Sequence, residues 1–179
     1  IDEAYWPYDG RHRLDAVRAH PERVALRTFS KADGLGGVRL GYALTSPDTA
    51  RELGKVLLPF DVSALQAAVA ATVLDDPEAE AARWRRVATA RAERERVRAA
   101  LAALPEVTVY ESVTNFLLFR TPDAAAAHEA LLAEGVLVRR QDHLPGLEGC
   151  LRVTLGSPED DDAFLTAARR AFAAEAPHG

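Results

Sequence analysis

Apolar and polar positions in the first part of the chain predict three short strands. Two apolar runs, residues 23–31 and 37–46, have the length of ordinary strands and are separated by a glycine-rich turn. Residues 1–5 have the composition of the carboxyl end of another buried strand, which runs straight into a turn rich in Pro and Gly. These strands are the expected framework of a sheet covered by helices.

Helical patterns follow in the next segments. Residues 46–57 begin with Ser46 at the expected N-cap and with proline at the first helical position. Residues 63–76 form a second predicted helix, which is too apolar to lie on an open surface. After residue 76 the composition changes to alternating charges as far as Leu104, which is typical of a long, solvated connecting helix.

The rest of the chain predicts a small domain of short strands with helices between them. The predicted strands are residues 107–112, 115–120, 135–140 and 151–156. The predicted helices are residues 121–135 and 157–175, with Thr121 and Ser157 as their N-caps. The sequence therefore predicts an α/β fold in two parts. Residues 1–75 belong to a mostly parallel sheet with helices on both faces, and residues 76–179 form a smaller α+β domain.

Composition and charge narrow the classes of function. The 179 residues are 48% hydrophobic and 27% charged, so a globular core is expected. The net charge of −5, with both signs interspersed, argues against binding nucleic acid or a membrane surface through gross charge. A single cysteine and the lack of a membrane-length apolar run predict a cytoplasmic protein. The histidines lack metal-ligand spacing, so no metal site is predicted.

The stretch RTFSKADGLGGVRLGY, residues 27–42, concentrates glycine and positive charge around Lys31. A lone lysine after a strand is most often a solvated surface residue. Here the hydroxyls of Thr28 and Ser30, the guanidinium of Arg39 and glycine backbone amides together suit an anion such as a phosphate. A lysine held beside such a group can be a nucleophile that forms a Schiff base. The glycine spacing of nucleotide-binding loops is absent, which disfavours a nucleotide.

Asp2 and Tyr5, in the segment DEAY, suggest the second half of the same site. A carboxylate at the end of a buried strand is unfavourable unless it meets a positive partner, and in isolation a cap or turn role is the simpler interpretation. Asp2 can instead pair with a protonated pyridine nitrogen while the Tyr5 phenol donates to the oxygen on the ring. An acidic partner of this kind is one way in which proteins tune pyridoxal phosphate.

Together, DEAY, RTFSKADGLGGVRLGY, TNFLLFR and LRVTLGSPED resemble the fold-type-I pyridoxal-phosphate-dependent aminotransferases, and among them the histidinol-phosphate aminotransferase family. The resemblance covers essentially the whole chain and implies the C-terminal half of such an enzyme: the end of the cofactor-binding large domain, followed by the small domain. It implies that Lys31 bonds pyridoxal 5'-phosphate as a Schiff base and shuttles the proton. Asp2 would hold the pyridinium and Tyr5 the ring oxygen. The cofactor phosphate would be held by Thr28, Ser30 and Arg39.

One position departs from the pattern, because Asp33 stands where the family usually has an aromatic residue. A carboxylate near a phosphate site is unfavourable, so Asp33 is expected to point outward. The substrate is expected at Arg139 and Arg152, on two strands joined by one loop, since two arginines suit a phosphate dianion. The resemblance places both at the substrate phosphate, and the alternative is two surface arginines on neighbouring strands.

Two nearby residues complete the expected substrate side. Arg140 is expected to face solvent. Asn115, in TNF, matches a position that the family keeps near the substrate, and its alternative role is that of a turn residue at a strand start.

The resemblance implies transamination between L-histidinol phosphate and 2-oxoglutarate, a step in histidine biosynthesis, by a homodimer. An aromatic-amino-acid aminotransferase and a threonine-phosphate decarboxylase of cobalamin synthesis stay open, and the two arginines argue against the first only. A noncatalytic fragment or binding module also stays open, although a Schiff-base lysine has no use in one. Because much of such an enzyme precedes DEAY, and because the sequence starts at Ile1, the chain is expected to be a fragment, weakly active or inactive by itself.

Overall fold

The structure, a computed structural model, describes residues 1–173 as a mixture of helices and strands. The chain divides into two compact units, Ile1–Val87 and Ala88–Gly179, and the division lies inside the longest helix. The helices are α1 (Trp6–Asp9), α2 (Leu14–Ala19), α3 (Pro47–Gly54), α4 (Ala64–Asp75), α5 (Pro77–Ala102), α6 (Ala124–Ala133) and α7 (Pro158–Ala173). The strands are β1 (Ala25–Thr28), β2 (Gly41–Leu44), β3 (Thr108–Val109), β4 (Phe116–Arg120), β5 (Arg139–Arg140) and β6 (Cys150–Thr154).

The strands predicted on either side of the glycine-rich turn are confirmed as β1 and β2. They pair antiparallel, with Thr28 opposite Gly41. A side chain at position 41 would place its Cβ 2.7 Å from the carbonyl oxygen of Arg27, so the close approach of the two strands requires glycine there.

The mostly parallel sheet expected for residues 1–75 is wrong for the part of the chain that the structure describes. β1 and β2 form a two-stranded antiparallel sheet, because the chain between them returns through a turn and the short 3-10 helix Gly36–Val38. A parallel pair would need a longer crossover connection, usually a helix. Parallel pairing occurs as an isolated bridge between Asp2 and Leu26, where the Leu26 amide donates to the Ile1 carbonyl oxygen over 2.9 Å.

The two helices predicted after β2 are confirmed as α3 and α4. The Ser46 hydroxyl accepts from the Thr49 amide at 3.2 Å, as expected of an N-cap. Helix α4 starts with a capping box between Ser63 and Gln66. In the described unit this apolar helix is largely exposed, and within it only Ala70 is buried.

The second unit is built on a four-stranded antiparallel sheet in the order β3-β4-β6-β5. One face of this sheet carries the core, where Leu117 and Phe119 of β4 are fully buried. Helix α7 contributes Phe164 to this core, and α6 contributes Leu131. The four predicted strands and both predicted helices are thereby confirmed as elements, and the last residues of the second helix, 174–175, lie outside the described residues.

Of the two N-caps predicted in this unit, the one before α7 is confirmed and the one before α6 is not. Ser157 precedes α7, and its hydroxyl accepts from the Asp160 amide at 3.2 Å. Thr121 as the N-cap of α6 is wrong. Asp123 caps this helix and accepts from the amides of Ala125 and Ala126, because an aspartate directly before the first helical residue reaches both donors.

Within the region that the structure describes, no helix is both long enough and apolar enough to cross a membrane.

Asp161, in the first turn of α7, is a buried carboxyl group with an elevated pKa. Its side chain is 2% exposed, and its Oδ1 accepts from the Gly156 amide at 3.1 Å. Its other oxygen has no hydrogen-bond partner among residues 1–173. Burial, opposed by the hydrogen bond from the Gly156 amide and by Arg96 and assisted by the nearby Glu93 carboxylate, raises the pKa of Asp161 to about 6.

Replacement of Asp161 is therefore expected to stabilise the protein at neutral pH. The folded state holds the proton to about pH 6, whereas the unfolded chain releases it near 3.8, so the free energy of unfolding falls as pH rises between these values. Asp161→Asn keeps the acceptor for Gly156 without the charge, and should raise the free energy of unfolding at pH 7 by about 1–3 kcal/mol. The gain should vanish near pH 4. Thermal melts between pH 4 and pH 7 test this prediction, with the exposed Glu159→Gln as control. An equal gain in the free energy of unfolding at pH 4 and at pH 7 would contradict it.

Candidate active site

Lys31 lies in the connection between β1 and β2, and its side chain is exposed. Its Nζ is 5.4 Å from the centroid of the Tyr5 ring, so the structure brings together two of the residues that the sequence singled out. Tyr5 precedes α1 as its N-cap residue. Asp2 is also exposed, in the segment bridged to β1, and its Oδ1 accepts from the Ala4 amide at 2.9 Å.

The connection after β1 is closed by backbone hydrogen bonds. The Phe29 amide donates to the Leu40 carbonyl oxygen at 3.1 Å, which continues the pairing of the two strands by one step. Ser30 and Arg39 therefore occupy the next pair of positions, at the mouth of the turn. The Thr28 hydroxyl accepts from the Ser30 amide at 3.0 Å and so fixes the start of this turn.

Arg39 has an unusual backbone conformation for a residue other than glycine. Its φ of 58° and ψ of 46° are left-handed, and it directly follows the short 3-10 helix. Its Nη1 donates to the Gly36 carbonyl oxygen at 2.9 Å, and the side chain is exposed. The conformation turns the chain back into β2 and holds the guanidinium over the glycine turn.

The chemistry of these groups fits pyridoxal 5'-phosphate. An amine, two hydroxyls and a guanidinium lie on one turn, and a side chain added at Gly34 or Gly37 would meet no atom within 4 Å. Such a turn lets backbone amides and side-chain donors approach a phosphate dianion. The exposed carboxylate of Asp2 is a group of the kind that can pair with a protonated pyridine nitrogen.

Asp33 does not point outward, so that expectation is wrong. Its side chain is 10% exposed and its Oδ1 lies 3.2 Å from Nη1 of Arg83, in the first half of α5. The sequence reasoning treated the carboxylate as unpaired. Pairing with a guanidinium offsets the cost of placing a negative charge near an anion site.

A buried ion pair beside Asp2 was missed by the sequence reasoning. Glu3 is buried, and its Oε2 accepts from Nε of Arg27 at 2.9 Å. The backbone amide of Arg13 donates to the other oxygen of Glu3. The guanidinium of Arg27 lies 4.3 Å from the centroid of the Trp6 ring. No local sequence pattern identifies this pair, because Glu3 and Arg27 are 24 residues apart and are brought together by the bridge between Asp2 and Leu26.

Arg139 and Arg152 are directly opposite each other in the sheet of the second unit, on β5 and β6. Opposite residues of an antiparallel pair project from the same face, and both side chains line one concave surface together with Leu137 and Thr154. The guanidinium of Arg152 lies 5.0 Å from the centroid of the Phe116 ring. Within residues 1–173, neither arginine has a carboxylate within ion-pair distance, and the buried Nε of Arg152 has no hydrogen-bond partner.

Arg140 and Asn115, which lie near this pair, both have hydrogen-bond partners within the second unit. Arg140 is exposed, as expected, and forms two hydrogen bonds with Asp142, of 3.0 and 2.6 Å. This hydrogen bonding lowers the pKa of the Asp142 carboxyl group. Asn115 directly precedes β4, half-buried, and its carbonyl oxygen accepts from the Leu155 amide at 2.9 Å, so it lies beside the end of β6.

Comparison with known proteins places the chain among aminotransferases. The family model described as aminotransferase class I and II matches residues 1–167. A histidinol-phosphate aminotransferase of Deinococcus radiodurans is 48% identical over 167 residues, which are 93% of this chain and 45% of that protein.

Two solved structures have the same fold. One, histidinol-phosphate aminotransferase from Sinorhizobium meliloti in complex with pyridoxal-5'-phosphate, has a TM-score of 0.77 and 26% identity, over 98% of this chain and 49% of that one. The other, L-threonine-O-3-phosphate decarboxylase from Porphyromonas gingivalis, has a TM-score of 0.82 and 26% identity, over 94% of this chain and 53% of that one.

These matches show how much of its relatives the chain covers and which cofactor the family uses. The chain spans about half the length of the curated relatives that it matches. The expectation that it corresponds to their C-terminal half is not confirmed by these matches. The expected cofactor is confirmed at the level of the family, in which one solved relative is in complex with pyridoxal-5'-phosphate. The family model matches nearly the whole chain, and a relative of that family is 48% identical to it. The chain therefore belongs to the class I and II aminotransferase family.

Proposed function

We propose that the polypeptide containing this chain is a pyridoxal-phosphate-dependent transaminase that acts on L-histidinol phosphate and 2-oxoglutarate in histidine biosynthesis. Its products would be imidazole-acetol phosphate and L-glutamate. The observation that carries the choice of substrate is the facing pair Arg139 and Arg152. The 48% identity to a relative named for this reaction supports the same choice.

On the cofactor side, each residue has a role in this proposal. Pyridoxal 5'-phosphate, when bound, supplies the sink for the electrons of the substrate's Cα–H bond. Lys31 would hold the cofactor through its Nζ, and the same amine would carry the proton of the substrate α-carbon. Asp2 would hold the protonated ring nitrogen, and the Tyr5 hydroxyl would donate a hydrogen bond to the ring oxygen. The phosphate is bound by Thr28, Ser30 and Arg39.

On the substrate side, the two guanidiniums favour a dianion. Like charges directly opposite each other in a sheet repel, and a phosphate between them replaces this repulsion with charge-assisted hydrogen bonds. The ring of Phe116 under Arg152 favours one orientation of its planar group. A substrate that carries only a carboxylate would use one guanidinium and leave the other unpaired. Asn115 is proposed to contact the substrate beside this pair.

The alternatives differ in how they account for these arginines. An aromatic-amino-acid aminotransferase has no phosphate for the second guanidinium. A threonine-phosphate decarboxylase of cobalamin synthesis has one, and a decarboxylase of this substrate is among the solved structures of the same fold. A noncatalytic fragment or binding module has no use for an exposed lysine held over the Tyr5 ring.

We also propose that the active unit contains more polypeptide than these 179 residues and is a homodimer in the cytoplasm. Residues 1–75 would belong to its cofactor-binding large domain, and residues 76–179 would form its small domain. The chain spans about half the length of its relatives, and it exposes an apolar segment that includes Val56, Leu58 and Phe60. The Phe60 side chain is 98% exposed, which favours a covering surface in the complete protein.

A half-reaction tests the proposed substrate. The full-length polypeptide loaded with cofactor is given histidinol phosphate without 2-oxoglutarate, and the ketone product is measured in a single turnover. We expect about one equivalent of ketone per bound cofactor, formed at least about 100-fold faster than with phenylalanine, because only the phosphorylated amine uses both arginines. The 179-residue chain alone should bind the cofactor weakly and form little product. Faster reaction with phenylalanine, or release of carbon dioxide from threonine phosphate, would transfer the function to the corresponding alternative.

A further inference from the structure

Two arginines near the start of α5 contact the residues that directly follow Lys31. Nη1 of Arg83 lies 3.2 Å from Oδ1 of Asp33. Nη2 of Arg86 donates to the carbonyl oxygen of Ala32 at 3.2 Å and, over a longer 3.4 Å, to that of Asp33. Residues three apart lie on one face of a helix, so this face of α5 contacts both the backbone and a side chain of residues 32–33.

Burial strengthens these contacts. The side chains of Arg83 and Asp33 are 19% and 10% exposed, so their ion pair is screened less by water than a surface pair. Ala32 is 2% exposed, and the bond from Arg86 satisfies a carbonyl group in a buried peptide. The guanidinium of Arg83 also lies 5.1 Å from the centroid of the Trp84 ring.

We propose that Arg83 and Arg86 are positioning residues for Lys31. By fixing the two residues that follow it, they restrict the directions in which its Nζ projects from the turn. This inference rests on the proposed role of Lys31 in bonding the cofactor. Neither arginine is proposed to touch the cofactor or the substrate, and their effect is transmitted through the backbone of residues 32–33.

The chain contains an internal reference for this effect, because Lys31 and Lys55 are its two lysines. Lys55 is exposed and pairs with Glu52 at 2.6 Å, on the turn that follows α3. Excess pyridoxal phosphate is added to the cofactor-free full-length polypeptide that contains this chain. The lysine Nζ adds to the aldehyde carbon, water leaves, and borohydride then delivers a hydride to the carbon–nitrogen double bond. Peptide mass spectrometry gives the rate of labelling at each lysine.

In the unmodified chain, Lys31 should be labelled faster than Lys55. Arg83→Gln and Asp33→Asn should each slow labelling at Lys31 about tenfold and leave Lys55 unchanged, since a displaced reacting group loses much of its rate. The double variant should be no slower than either single variant, because the two residues act as one pair. Arg85→Gln is the matched control on the same helix, where Arg85 is exposed and pairs with Glu78 instead.

The outcomes separate this inference from the proposed function. Equal labelling of Lys31 and Lys55 in the unmodified chain would overturn the role of Lys31 and the inference with it. Preferential labelling of Lys31 that Arg83→Gln and Asp33→Asn leave unchanged would overturn the inference alone. Circular dichroism shows whether each variant folds, and Arg83→Lys, which keeps the charge but not the planar fork, replaces Arg83→Gln if that variant unfolds.

Discussion

Lys31→Ala is expected to abolish transamination in the full-length polypeptide, with a fall in kcat of at least about a thousandfold. Alanine removes both the covalent attachment of the cofactor and the group that moves the proton of the substrate α-carbon. No replacement is at hand in the described part of the chain, where the other lysine, Lys55, is exposed and engaged with Glu52. The loss is measured as turnover, together with the absorbance band of lysine-bound cofactor, which should be absent.

The control for this result is Lys55→Ala, which should retain the absorbance band and nearly all turnover. Primary amines added to the Lys31→Ala protein should restore part of the rate, because a free amine can carry the proton that Lys31 no longer moves. A band of lysine-bound cofactor that survives in Lys31→Ala would contradict the assignment of this residue.

The sequence was sufficient for local elements and for the groups that lie on one turn. Strands β1 and β2 follow from apolar runs on either side of glycines, and this hairpin brings Thr28, Ser30 and Arg39 into one short connection whatever the rest of the fold does. The facing of Arg139 and Arg152 was also within reach, because two short strands joined by a single loop pair antiparallel with a limited choice of register.

Contacts between distant segments were out of reach, because pattern and propensity carry no information about them. The ion pair between Asp33 and Arg83 joins residues that are 50 positions apart, and the sequence around Asp33 does not indicate which residue pairs with it. The pair between Glu3 and Arg27 likewise depends on the bridge between the first residues and β1. The direction of β1 and β2 was predicted wrongly for a different reason, because the glycine-rich turn between them is visible in the sequence and already indicates an antiparallel pair. A short apolar run has the same composition in a parallel and in an antiparallel pair, and only the connection decides.

Arg152→Gln is expected to lower kcat/KM for histidinol phosphate by at least about 100-fold. Two charge-assisted hydrogen bonds to a phosphate are lost, each worth about 1.5–3 kcal/mol, and the remaining guanidinium of Arg139 faces the dianion alone. Glutamine retains much of the side chain that packs against the Phe116 ring, so the sheet should stay folded. Steady-state kinetics with the phosphorylated amine and with phenylalanine measure the effect, and phenylalanine should change by less than about threefold.

The adjacent arginine provides the matched control, because Arg140 lies on the same strand as Arg139 but is engaged with Asp142. Arg140→Gln removes the same charge from the neighbouring strand of the same sheet, so a general electrostatic effect of the surface would appear in both variants. We expect Arg140→Gln to alter kcat/KM for histidinol phosphate by less than about twofold. Equal losses in the two variants, or a loss in Arg152→Gln that phenylalanine shares, would mean that the arginine pair stabilises the sheet and that the phosphate is bound elsewhere. A loss confined to Arg152→Gln and to the phosphorylated substrate requires the guanidinium itself to meet the phosphate.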